Sequence, residues 1–330
     1  AAVTHDGTIV PYLAESWEPV DGDLATWQVT LRQGVTFHDG TPFDAAAVQA
    51  GFQAQFDSPL IGFGLRPFYP AENATEVIDE FIIQYNLLDS NAQFPATLST
   101  QGGYIASPTW LAAALLDPAL NQAPVGTGPF KIESRTVDSV TRVVRNDDWW
   151  GGDVYLDAIE FVPISDPDTR TDLLNNGDLQ AIQTTNPASI IDLQADDGIT
   201  NVVDTSGEES FVMLNASRPP FDDLRVRQAL TLATPLRAYR NLIALGVAPD
   251  ANQMFTPDSP FYATDVVQAG DDPDAATPLV ADYCAEVPRQ CSGGKIDIEL
   301  QWFGPAVITT RTAEILDQGW GGHFNVAFDE

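Results

Sequence analysis

Lysine is nearly missing from this 330-residue chain. Only Lys131 and Lys295 occur, and 15 basic residues stand against 47 acidic ones, for a formal charge of −32. Nucleic acid is excluded as a partner, because a polyanion needs a basic stripe and the chain has none. The acids are scattered, as in Asp21/Asp23, Asp147/Asp148, Asp196/Asp197 and Asp271/Asp272/Asp274. Scattering of this kind reads as a solvated acidic surface rather than a cation site. So much unbalanced charge suits salty surroundings, where ions screen self-repulsion. Long apolar runs are absent too, and with no stretch of eighteen, no membrane-crossing helix is expected. A basic segment leading into an apolar core is also missing, so no leader is expected within this numbering.

Histidine is scarce. His5, His38 and His323 lie in three separate segments without a triad partner in view, and no Gly-x-Ser-x-Gly, P-loop or dinucleotide fingerprint occurs. No catalytic residue, metal ligand or cofactor is therefore assigned. The rival class, a secreted hydrolase working through paired carboxylates, is not removed by counting acids.

Cysteine is limited to Cys284 and Cys291, either side of a short segment containing Pro288 and followed by Gly293-Gly294. The spacing is not Cys-x-x-Cys and no other Cys or His is close in sequence, which weighs against a metal pair or unrelated thiols. The expectation is a disulfide worth ~2–3 kcal/mol, and hence an exported protein.

What the chain does have is 44 % hydrophobic residues, enough for more than one core. Trp27, Val29 and Leu31 alternate with polar neighbours as a half-buried strand. Asp44 is placed to cap a helix carrying Val48, Phe52 and Phe56 on one face. Phe81, Ile83, Tyr85 and Leu87 alternate again, and a short helix is expected around Trp110 to Leu116. Strands are expected at Phe130 to Glu133, Val140 to Arg145, Ala158 to Pro163, Gln180 to Gln183 and Phe211 to Leu214. Asp166-Pro167 opens a helix that Asn175-Asn176-Gly177 closes. Asp222 or Asp223 caps another, which Pro235 should kink or break. A final β-α-β unit runs from Ile296 through a helix at Ile308 to Gln318 to a strand at Val326 to Phe328.

Four segments carry a resemblance. They are Pro11-Tyr-Leu-Ala-Glu-Ser-Trp17 with the run from Thr26 to Pro42; Val125-Gly-Thr-Gly-Pro-Phe-Lys131 with Arg145-Asn-Asp-Asp-Trp-Trp-Gly151; Leu173 to Asp178; and the stretch from Leu214 through Arg-Pro-Pro-Phe-Asp-Asp-Leu to Leu230. In this order they resemble the family-5 solute-binding proteins of ABC transporters, which include dipeptide, oligopeptide and nickel receptors. Gly270 to Ala276 and the strand from Ile296 extend the likeness. Thr234-Pro235 departs from it, standing where the family usually has Ile-Asp.

The resemblance implies an α/β, two-lobed periplasmic-binding-protein-like fold of class II type. The first lobe would be residues 1–214, with an inserted subdomain at about 45–120, and 215–330 would start the second. Family members have elements preceding and following the stretch matched here, so the resemblance implies a fold incomplete at both ends. The implied function is a non-catalytic receptor that captures a peptide, or alternatively an oligosaccharide or nickel chelate, and delivers it to ABC permease subunits. It would act as a monomer outside the cytoplasm, either periplasmic or lipid-anchored at the cell surface. The family's groups for peptide termini lie mainly in the stretch with no counterpart here and are not carried over.

Candidate cleft or hinge residues remain. Gly126, Thr127 and Gly128 let backbone approach a ligand, although glycine beside a strand more often serves a turn. Asn215 ends a strand near the implied hinge. Trp302 and Phe303 follow a strand at its carboxyl end, where open-sheet ligands bind, with core packing as the plainer role. Trp149 and Trp150 read as packing residues and His38 as a turn stabiliser.

Overall fold

The alternation at Trp27, Val29 and Leu31 becomes the centre of a sheet in the computed structural model, which describes residues 1–4, 7–203, 210–247, 250–257, 259, 261–302 and 307–329. Strands β1 (Ala14–Val20), β2 (Asp23–Leu31), β3 (Thr75–Asp79) and β4 (Ile82–Asn86) form an antiparallel sheet in the order β1-β2-β4-β3. Helix α1 (Ala45–Asp57) lies between β2 and β3 in sequence, and Asp44 caps it by accepting from the Ala47 amide at 2.8 Å. Its Val48, Phe52 and Phe56 are buried with Trp27, Val29, Leu31, Ile83 and Tyr85 in one core. Aromatic rings knit that core: Phe52 meets Tyr69 and Tyr85 edge-on at 5.0 and 5.7 Å.

Helix α2 (Pro108–Leu116) starts at the N-cap Ser107. A second antiparallel sheet follows, β5 (Phe130–Thr136), β6 (Val140–Arg145) and β7 (Ala158–Phe161), neighbours in sequence and in space. On its exposed face Arg142 of the middle strand donates to Glu133 at 2.7 Å and Glu160 at 2.8 Å, tying all three strands across the register.

By packing, the chain divides into Ala1–Pro163, which holds the elements above, and Ile164–Glu330. The second unit contains α3 (Pro167–Asn175), α4 (Pro187–Gln194), α5 (Leu224–Ala233), α6 (Leu236–Leu242) and α7 (Pro273–Glu286). Asp166 caps α3, and Asp223 rather than Asp222 caps α5. Its sheet is β8 (Cys291–Ser292), β9 (Lys295–Gln301) and β10 (Phe324–Asp329), with β9 and β10 parallel and joined by α8 (Val307–Trp320). Val226, Leu230, Val280, Tyr283, Ile296 and Trp320 are among the side chains of the unit's core.

Thr234-Pro235 ends α5 cleanly. Pro235 has no N–H to continue the helix, and Thr234 turns to extended backbone. Its carbonyl accepts from the Asp271 amide at 2.9 Å and its hydroxyl from Trp320 Nε1 at 3.1 Å. Gly319 must be glycine here, since a Cβ would lie 2.6 Å from the Pro235 ring.

Two expected strands differ. Residues 180–183 and 211–214 run without a ladder, and neither stretch makes a backbone hydrogen bond to any described residue. A strand is defined by its neighbour, and alternating or apolar composition alone does not supply one.

Candidate functional site

The loop from Val125 to Pro129, which holds the expected site residues Gly126, Thr127 and Gly128, enters β5 with every carbonyl engaged. Val125 O accepts from Ser107 N at 2.9 Å, and Gly126 O from His38 N at 2.9 Å. Thr127 O accepts from Trp150 Nε1 at 3.2 Å. Gly128 O takes two donors, His38 Nε2 at 2.9 Å and Asn146 Nδ2 at 3.1 Å, and Pro129 O takes Asn146 N at 2.8 Å. Thr127 and Asn146 are buried, whereas Gly126 and Gly128 are half-buried.

Each tether is positioned by its own element. His38 sits in the turn bracketed by the Thr36–Pro42 bridge, Asn146 follows the last residue of β6, and Ser107 caps α2. Trp150 is held edge-on to Tyr12 at 4.7 Å with the Arg32 guanidinium 4.8 Å from its ring centre. Since a carbonyl can only accept, His38 Nε2 carries the proton. Burial holds the imidazole below its usual pKa, as does Lys131, against the raising effects of the Gly128 bond and Asp39. Asp39 is pushed up by burial. Hydrogen bonds from the Ser107 hydroxyl at 2.6 Å and from Thr41 outweigh that, and its pKa lies below the ordinary value.

In the second unit, Asn215 and Trp302 both border one large groove of about 2580 Å³, together with the ladderless stretches around Ile182 and Phe211. Pockets for small ligands are roughly 300–1,000 Å³, so the groove as a whole exceeds what one such solute fills. Asn215 is exposed, and its side chain accepts from Ser217 N at 3.2 Å and Ser217 Oγ at 2.7 Å, an Asx turn leading to the cis Pro219-Pro220 bond. Trp302 packs edge-on to Phe328 at 5.4 Å, and its buried Nε1 has no partner among the described residues. Phe303 lies outside the described residues. Cys284 and Cys291 are joined by the expected disulfide, fastening the end of α7 to β8.

The glycine loop is a candidate legible in the sequence, and its tethers are not. Nothing in the sequence sets Asn146, the second residue of the Arg145-to-Gly151 motif, apart from its neighbours, and Trp150 and His38 read there as a packing residue and a turn stabiliser. Trp150 packs against the first unit's core, whereas the hydrogen bonds of His38 both go to the loop, and all three side chains end there. The one available signal was that the motifs containing His38, Gly126–Gly128 and Asn146–Trp150 all belong to the same family pattern. Among the described residues no group of three or more His, Cys, Asp or Glu could hold a metal ion, and no helix is long and apolar enough to cross a membrane.

The family model described as bacterial extracellular solute-binding proteins, family 5, middle, matches residues 8–283. Di/tripeptide-binding protein 2 of Pseudomonas aeruginosa is 30 % identical over 255 residues, 72 % of this chain and 48 % of the relative. The nickel-binding periplasmic protein of Escherichia coli is 26 % identical over 327 residues, covering 94 % and 61 %. The chain thus spans about half to three-fifths of the length of these relatives. Among solved structures, a Helicobacter pylori ABC-transporter-associated periplasmic binding protein in complex with the peptide STSA matches with TM-score 0.78 at 24 % identity, over 97 % of this chain and 65 % of the other. A periplasmic binding protein of A. tumefacien R10 in complex with agropinic acid matches with TM-score 0.81 at 24 % identity, over 99 % of this chain and 65 % of the other. The fold is that of the periplasmic binding proteins, and the chain belongs to the bacterial extracellular solute-binding proteins of family 5.

Proposed function

We propose that the protein is the solute-binding receptor of an ABC importer, that it captures di- or tripeptides outside the cytoplasm, and that it hands them to permease subunits without chemically altering them. The observation that carries this reading is the family match across residues 8–283, together with a di/tripeptide-binding relative at 30 % identity over 72 % of the chain. Scarce histidine and the lack of a Gly-x-Ser-x-Gly or other hydrolase signature in the sequence support a receptor over the hydrolase alternative. In this reading residues 1–214 belong to a first lobe with an insert at about 45–120, and 215–330 begin the second. Gly126–Gly128, Asn215, Trp302 and Phe303 serve the cleft or hinge. Bound solute raises the population of a closed, permease-competent monomer, and can do so only through its higher affinity for that form.

A second reading, a nickel or haem receptor, draws on the nickel-binding relative and on a 28 % identical haem-binding protein A of Haemophilus influenzae, both aligned over 94 % of the chain. The test is a thermal-shift screen with di- and tripeptides, nickel with histidine, haemin and oligosaccharides. Solute that binds only the folded state raises Tm, by the equivalent of about 2.7 kcal/mol at a hundredfold excess over Kd. A rise with peptides alone supports the first reading. A rise with nickel-histidine or haemin alone transfers the assignment to the second, and turnover of a peptide or glycoside overturns both.

A further inference from the structure

We infer that the Val125–Pro129 loop is a main-chain donor site for an acceptor oxygen of the solute, a peptide carbonyl or carboxylate, and that His38, Asn146 and Trp150 are its positioning residues. The inference rests on the receptor reading for the identity of the solute, but the donor geometry comes from the loop itself. In a trans peptide unit the carbonyl of one residue and the N–H of the next point in opposite directions. Val125 O, Gly126 O and Thr127 O are all drawn toward protein donors, Ser107 N, His38 N and Trp150 Nε1. Each of the N–H groups of Gly126, Thr127 and Gly128 therefore points away from the tether on its own peptide plane, and none of them hydrogen-bonds to a described residue.

Three successive donors facing away from their tethers need water or a ligand oxygen. Space lies beside the backbone at the two glycines. A Cβ on Gly126 would meet nothing within 4 Å, and one on Gly128 only Phe130 O at 4.0 Å. Neither glycine has a positive φ, so left-handed backbone is not the reason for glycine at either position. Open space beside unpaired amides is what close approach of an acceptor oxygen requires. The fixed carbonyls matter equally, because a loop with free carbonyls would present acceptors and donors together and repel the same oxygen. Asn146 engages the loop at two successive carbonyls, and His38 holds carbonyls two residues apart through its amide and its ring.

The experiment follows amide resonances of the ¹⁵N-labelled intact protein during titration with sodium acetate, with N-methylacetamide, and with whichever dipeptide binds by calorimetry. Saturable shifts at Gly126, Thr127 and Gly128 are expected. The Gly126→Ala/Gly128→Ala variant should fold with unchanged Tm and bind the probe at least about tenfold more weakly. Trp150→Phe keeps the ring and removes one tether, and should reduce the shift at Thr127 and Gly128 with little change in Tm. A dipeptide that binds while the three amides stay unmoved overturns the inference and leaves the receptor reading intact. Loop shifts with acetate or N-methylacetamide, in a protein that binds no peptide, uphold the donor site and remove the peptide assignment. Silence of the loop toward every probe overturns the donor site outright.

Discussion

The loop at Val125–Pro129 and the stretches 180–185 and 210–214 are short, locally similar pieces of chain with opposite circumstances. The loop has each of its carbonyls held by a neighbour. The two stretches have no backbone partner among the described residues, and Phe211 and Met213 leave 73 % and 81 % of their surface exposed. The apolar run at Phe211 to Leu214 is as strand-like as Ile82 to Asn86. Only Ile82–Asn86 has strands on both sides, with Ile83 and Tyr85 buried as a result. Extended backbone becomes a stable strand through its neighbours, and the sequence of one segment does not report whether they exist.

The largest effect should separate the two regions outright. Phe52 is 1 % exposed at the centre of the first unit's aromatic cluster, so Phe52→Ala is expected to cost about 3–5 kcal/mol. Met213→Ser, in a side chain already facing solvent, should stay within about 0.5 kcal/mol of wild type. Urea denaturation gives both values, and peptide-resolved hydrogen exchange assigns the loss to a unit. A large loss from Met213→Ser would mean that the groove is packed in solution and would erase the contrast.

Second in size is the disulfide, which lies wholly in the second unit. Replacing both Cys284 and Cys291 by serine should cost about 2–3 kcal/mol through the freed unfolded chain. Faster exchange is expected in the peptides covering α7 and β8 and not in those covering α1. If α1 loosens equally, the two units do not unfold separately and the division after Pro163 has no energetic meaning.

Helices and paired strands were legible in the sequence wherever a local cause was enough. Asp44, Asp166 and Asp223 are caps because a carboxylate reaches an amide two or three residues away, and Pro235 stops α5 because it lacks an N–H. The cysteines were legible because their separation is short. The tethers were not, since the loop's contacts with His38 span 90 residues and no periodicity encodes a side chain ending on a distant carbonyl. The motifs that contain them were visible as a family pattern, but the reason for their co-occurrence appears only once the loop's carbonyls are traced one by one. Asn215 borders the groove, and its side chain also makes a local turn with Ser217 that its position in the sequence does not announce.

Acid should probe the tethered side of the comparison, with an effect smaller than either substitution above. His38 has a folded-state pKa lowered chiefly by burial, so the folded protein binds fewer protons than the unfolded chain. Its contribution is present above the unfolded value and is lost as pH falls below about 6.5. Asp39, with a pKa lowered by Ser107 and Thr41, contributes above its unfolded value and loses that contribution further down, below about pH 4. These two groups therefore each contribute one loss of stability as pH falls, the upper one sensitive to Asp39 and Lys131, whose charges act on the ring, and overlapping that of the Ala1 amino group, whose pKa burial lowers to about 6. His38→Gln keeps an amide donor and should shrink the upper loss, leaving the part due to Ala1, without changing the lower one. An undiminished upper loss in the variant would assign it wholly to groups other than His38.

The smallest effect concerns both regions alike, and its sign is decided by competition between attraction and repulsion. Nine ion pairs occur among the described residues, with Arg142, Arg145 and Arg225 holding two each, whereas the chain carries 47 acids and a net −32. Raising salt from 0.1 M to 1 M shortens the screening length from about 10 Å to about 3 Å. Contact pairs lose a modest attraction. Unpaired carboxylates, farther apart and more numerous, lose repulsion that acts over just the distances that salt removes. Tm should therefore rise with sodium chloride, by on the order of 2–4 °C for each kcal/mol of repulsion relieved. Potassium chloride should act equally, because screening depends on ionic strength and not on a bound ion. A fall in Tm would give the ion pairs the larger share of the electrostatics and would remove the case for a protein suited to salt. An equal rise in Phe52→Ala and in wild type would place the effect on the surface, separate from the packing that distinguishes one unit from the other.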